Sequence, residues 1–195
     1  MSEQLHSAAR NGDIAALQGA VGAGADLNAK DKLSRTPLHL AAWSGQTDFV
    51  KQLLALGCPV SSAAADDMNA LHFAVQKGHA ETARYILNAG LHVDCRTRKG
   101  MTPLMLAAGQ GHTEAVSLLL KRKANPAATN KRGQSVLDLC KPEVRPLIEE
   151  ALQQRAEQQP QQQQQPGAGA GKKRERPGQR KRKAAGEDEG EEGGV

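Results

Sequence analysis

The sequence predicts an all-α solenoid, a row of stacked helix-turn-helix units followed by a disordered C-terminal tail. Three observations predict it. Leu5, Leu38, Leu71, Leu104 and Leu137 stand 33 residues apart, and Gly12, Gly45, Gly78 and Gly111 keep the same step. A period of about 20 to 50 residues marks a small unit copied along the chain, each copy burying its apolar face against its neighbours. Aromatic residues make up only 2% of the 195 residues, so Ala and Leu must build an interior in which short helices lie close together. Composition then changes abruptly after Ala156, which divides the chain into a repeat domain, residues 1–156, and a tail, residues 157–195.

The copies justify their helices one by one. The first has Glu3, Gln4, Leu5 and His6 and no loop before it, so its outer side faces water as a terminal cap must. In the second, Thr36 suits an N-cap, and Pro37 suits the first helical position, where the missing N–H leaves nothing unsatisfied. Leu38, Ala41 and Ala42 then share one face, and Gly45 stops the helix by taking a left-handed turn. Phe49, Val50, Leu53 and Leu54 give the second helix its own apolar stripe, which Gly57 closes.

The third copy puts Asn69 and Ala70 where Thr and Pro stood, and Asn69 still serves as an N-cap. In the fourth, Thr102, Pro103, Leu104, Ala107, Ala108 and Gly111 restore the full pattern. The fifth opens with Ser135, Val136, Leu137 and Asp138 but carries Cys140, Lys141 and Pro142 where the small residues belong. Its second helix is expected at about Pro146 to Leu152, with Leu147, Ile148 and Leu152 apolar and the rest charged, which reads as a partial closing cap.

Thr36-Pro37-Leu38-His39, the Ala41-Ala42 pair, Gly45 and Leu53-Leu54, repeated in register, closely resemble the ankyrin repeat over about residues 3–152. The resemblance implies units joined by outward-pointing hairpin loops, with a concave face made by loops and first helices. It also implies a non-enzymatic adaptor or regulator that binds a protein partner on that face. Trp43 is the expected anchor, because it stands where the copies differ (Trp43, Gln76, Gly109) and Trp is enriched at binding hot spots. The alternative is that Trp43 packs on Phe73 one unit along. Gln76 and Lys77 continue the same strip.

The loop tips supply the remaining candidate contacts: Lys32, Leu33 and Arg35, then Met68, then Arg98, Lys99 and Met101, then Lys131 and Arg132. Three of the four tips are basic, a ridge suited to a partner with an acidic segment, unless the charges merely solvate the turns.

The tail begins with Gln158, Gln159 and Gln161 to Gln165 and passes into Gly and Ala, a composition unable to offset the entropy of ordering. Residues 172–183 then carry eight Lys or Arg against one Glu, a local charge of +7, and residues 187–192 carry five acids. Lys172, Lys173 and Arg174, with Arg180, Lys181, Arg182 and Lys183, form two clusters of the kind an importin groove grips, so the nucleus is favoured over the cytoplasm. Nucleic-acid contact through these clusters, with the repeats recruiting, is the rival reading, although no aromatics interleave them for stacking. A merely solubilising tail is the third.

Other function classes find little support. Cys58, Cys95 and Cys140 lack zinc spacing and read as reduced apolar residues. His6, His39 and His72 share one register position and His79 and His112 another, so they spread along the stack rather than converge on a metal. No catalytic constellation is visible and no cofactor is expected. No apolar run reaches the roughly 18 residues of a membrane span, so a soluble, intracellular monomer is expected.

Overall fold

The structure, a computed structural model, describes residues 2–157; the tail beyond them, with all seven candidate import residues from Lys172 to Lys183, lies outside the described residues. Among the described residues, ten α-helices run in pairs: α1 Ser2–Asn11, α2 Ile14–Gly22, α3 Pro37–Ser44, α4 Thr47–Ala55, α5 Ala70–Gln76, α6 Ala80–Asn88, α7 Pro103–Gln110, α8 Thr113–Lys121, α9 Val136–Leu139 and α10 Arg145–Glu157. Odd-numbered helices pack in one row from α1 to α9, and α4, α6 and α8 pack in a second. No strand is formed among the described residues; an isolated bridge joins Thr129 and Ser135.

The expected core is observed in the first four units, while Leu54 and, in the closing unit, Leu137, Leu147 and Leu152 are only half-buried. Leu5, Leu38, Leu71 and Leu104 are buried, as are Ala8, Ala9, Ala41, Ala42, Ala74, Ala107 and Ala108 between rows. Burying a Leu side chain contributes about 1.5–3 kcal/mol, and the small residues bring the helices close enough for that contact. Phe49, Leu53, Ile86, Val116 and Leu119 line the inner side of the second row.

Glycine at the pair turn has two tasks. Gly45 adopts φ +72, and a Cβ there would lie 2.5 Å from Nδ1 of His79 in the next unit. The αL turn and the seat for a neighbouring ring both exclude side chains. His79 uses that seat to donate from Nε2 to the carbonyl of Trp43 at 3.1 Å, and His112 does the same to Gln76 at 3.1 Å. Gln46 occupies the equivalent place one unit earlier and donates to Arg10 O at 3.0 Å.

The other histidine register also spans units. The backbone N–H of Thr36 donates to Nδ1 of His39 at 3.0 Å, so the proton of the neutral ring sits on Nε2, which donates to Ser62 O at 2.9 Å. His6 reaches Ala29 O at 2.9 Å in the same way, whereas His72 meets the sulfur of Cys95 at 3.9 Å. Asn69 is the N-cap expected for α5, its Oδ1 accepting from His72 N at 3.2 Å.

The closing unit departs from expectation at its second helix, which runs to Glu157, five residues past Leu152. Gln and Ala continue a helix readily, and Arg155 pins its last turn by donating to Asn125 Oδ1 at 2.8 Å. α9 is only four residues long: Cys140 is already extended, ψ 144, and Pro142 keeps Lys141 extended as well, ψ 156.

Candidate partner-binding face

The loops between units project as hairpins whose tips are tied to one another. Ala65 N donates to Leu33 O at 3.3 Å, Arg98 N to Asp66 O at 2.7 Å and Lys131 N to Lys99 O at 3.1 Å. The same link recurs at the repeat interval, so the four tips form a continuous ridge. Each tip turns through a left-handed residue: Ser34, Asp67, Gly100 and Gly133. At Gly100 the link itself demands glycine, since a Cβ would lie 2.9 Å from Lys131 N.

Several tip cations already have partners. Arg35 donates from Nε to Asp31 Oδ2 at 2.8 Å and is half-buried. Burial works against ionising Asp31, but hydrogen bonds from the Arg35 side chain and from the backbone N–H groups of Arg35 and Leu33 outweigh it and hold its carboxyl below the usual range. Arg98 Nε lies 3.8 Å from Asp67 Oδ2 on the exposed surface, an arrangement of little energetic weight. Lys32, Lys99, Lys131 and Arg132 are exposed, and Leu33 is 55% exposed.

Beneath the ridge lies a groove of about 470 Å³ between the tips of the third to fifth units and α5, α7 and α9. Leu106 and Leu139 face it from the helices, Met68 and Met101 from the loops, and Lys99 and Arg132 from the tips, with Asp66 at one end. Asn130 braces its wall, donating to Gln134 Oε1 at 2.9 Å and lying 3.4 Å from the sulfur of Met101.

Trp43 lies one unit before the groove. Its ring meets Phe73 edge-on at 5.9 Å, and Lys77 Nζ stands 4.1 Å over its face. Phe73 in turn meets His39 edge-on at 5.5 Å. Trp43 therefore packs on Phe73, as one sequence reading held, and yet remains 36% exposed. Burial pushes His39 and His72, on the helices behind this face, down to about 4, so both rings are neutral near pH 7.

Helix pairs with Thr-Pro or Asn N-caps, αL glycines and outward hairpins linked tip to tip are the architecture that the family comparison names. A family profile for "Ankyrin repeats (3 copies)" matches residues 5–97, and one for "Ankyrin repeats (many copies)" matches residues 86–140. The chain belongs to the ankyrin-repeat family. No curated protein matches it at a significant level. Ankyrin repeats generally mediate protein–protein interaction and are typically non-enzymatic.

Of the twelve residues that the ankyrin resemblance singled out, Met68, Gln76, Lys99, Met101 and Arg132 come together around the groove. Trp43 and Lys77 form a separate pair, Arg35 is held by Asp31, and Lys32, Leu33, Arg98 and Lys131 lie along the ridge. Sequence reading missed Leu106 and Leu139. Their signal was register: Leu40, Phe73, Leu106 and Leu139 are all apolar at one repeat position, and the last three are only half-buried. Among the described residues, no group of three or more His, Cys, Asp or Glu could hold a metal ion, and no helix is long and apolar enough to cross a membrane.

Proposed function

We propose that this ankyrin stack is an adaptor or regulator that docks a protein partner on the concave face of loop tips and odd-numbered helices, and that its basic tail run directs it to the nucleus through importin. The observation that supports docking is the backbone ladder joining the tips, Ala65 to Leu33, Arg98 to Asp66 and Lys131 to Lys99. Side chains displayed on a linked ridge are pre-ordered, so little entropy is lost on this side when a partner binds. A partner interface of ordinary size, about 1,600 Å² in total, would span several units.

Affinity capture with wild type and with the Trp43→Ala, Arg98→Glu double variant tests the reading. Loss of captured partners supports it, and retention of every partner removes its basis. Deleting residues 157–195 should leave partner capture intact while lowering nuclear accumulation of a fusion too large to diffuse through the pore. If binding instead survives deletion of residues 3–152 and falls steeply with salt, the chain is a nucleic-acid binder acting through its tail.

A further inference from the structure

We infer that the groove of the third to fifth units takes a short extended peptide in which an acidic residue lies close to a Leu- or Met-sized side chain. The inference deepens the docking reading above and rests on it. Size and chemistry argue for a peptide strand: about 470 Å³ is far too little for a folded element but suits a few side chains.

The groove is graded across its depth. Leu106 and Leu139 on the helix side offer apolar contact, and burying one aliphatic side chain against them supplies part of the affinity. Met68 and Met101 flank this patch, and unbranched thioethers adjust to side chains of differing shape. Lys99 and Arg132, one repeat apart, stand at the adjoining tips and are exposed, and among the described residues neither forms an ion pair. Asp66 is the equivalent tip residue one unit earlier.

The groove is thus cationic towards the fifth unit and anionic towards the third. That asymmetry selects the acidic residue of the ligand at the Lys99 and Arg132 end and disfavours one at the Asp66 end. Gln76, with the Nε2 donor of Gln134, adds side-chain hydrogen-bonding groups for the backbone of an extended strand. Arg84, exposed on α6 in the second helix row, is not among the residues that line the groove.

The test is selection of a library of short random peptides on the full-length protein, followed by titration of the enriched peptides against wild type, Lys99→Glu/Arg132→Glu and, as a charge reversal outside the groove, Arg84→Glu. Enrichment of Asp or Glu next to Leu, Met or Ile is expected, with affinity at least roughly tenfold weaker for Lys99→Glu/Arg132→Glu and within about twofold of wild type for Arg84→Glu. Binding should also weaken with added salt. Both charged side chains are exposed, so unchanged circular dichroism and melting will show that the double variant folds. Enriched peptides without acids, or equal affinity for the double variant, overturn the inference. If no peptide is enriched, or if Arg84→Glu weakens binding as much as the double variant does, the groove assignment also falls, while capture of folded partners by the same face would leave the docking reading standing.

Discussion

Acid should loosen this stack as pH falls from about 6.5 towards 4, because two histidines are locked inside it as neutral rings. His39 and His72 are 1% and 0% exposed, and their backbone partners Thr36 N–H and Asn69 N–H both donate to Nδ1. Protonating Nδ1 would remove an acceptor from a buried donor as well as place a charge in the core. Burial accounts for most of the fall from 6.5 to about 4, with Lys30 adding to it at His39 while Asp31 opposes.

Since the folded value lies below the unfolded one, the unfolded chain binds more protons between them. The stability from neutral rings is complete above about pH 6.5 and is lost as pH falls towards 4. At about pH 5 each ring accounts for roughly 2 kcal/mol, about 4 kcal/mol for the pair, a large share of a typical domain's stability. Asp31 and Asp138 have lowered values, so their contributions are lost only below about 4 and leave this window to the histidines.

Urea unfolding followed by far-UV circular dichroism at about pH 7.5 and about pH 5 reads the difference directly. In His39→Gln, destabilised at both values, the pH-dependent part should shrink by about half. Equal stability of wild type at the two values, or an unchanged pH-dependent loss in His39→Gln, would refute the reasoning.

Two further outcomes concern left-handed positions. Gly45→Ala should cost about 2–3 kcal/mol, combining αL strain with displacement of His79 from Trp43 O, whereas Gly57→Ala, with φ +80 and nothing within 4 Å, should cost only about 1 kcal/mol; equal melting temperatures for the two would show that the histidine seat carries no energy. Lys123 adopts φ 63 where the preceding units have Gly24, Gly57 and Gly90, so Lys123→Gly should stabilise the protein by about 0.5–1 kcal/mol, read as a higher urea midpoint at an unchanged slope.

Most of the unit was legible because each of its signals is local. Thr102 followed by Pro103 announces a helix start by N-capping and a fixed φ, and the structure places Thr102 Oγ1 3.3 Å from Met105 N. Gly45 and Gly111 mark the stops for an equally local reason, as no other residue turns left without strain. The site was only partly legible. Met68, Lys99 and Arg132 were recognisable by register and loop position, but Leu106 and Leu139 were passed over, since apolar residues on a helix do not reveal which side lacks a neighbour. Nor does a basic residue in a loop reveal its partner: Arg35 and Lys32 read alike, yet only Arg35 folds back on Asp31.

By itself the sequence determined the repeat length, the paired helices, their caps and turns and the run of Leu and Ala that joins unit to unit. These follow from steric limits and apolar periodicity within some 33 residues of chain. Only the tertiary structure decided that the loop tips link through backbone hydrogen bonds, that Trp43 is shared between Phe73, Lys77 and solvent, and that an amphipathic groove opens at the third to fifth units. Those features depend on the distance and rotation between successive copies, and side chains a full repeat apart meet only once stacking has set both.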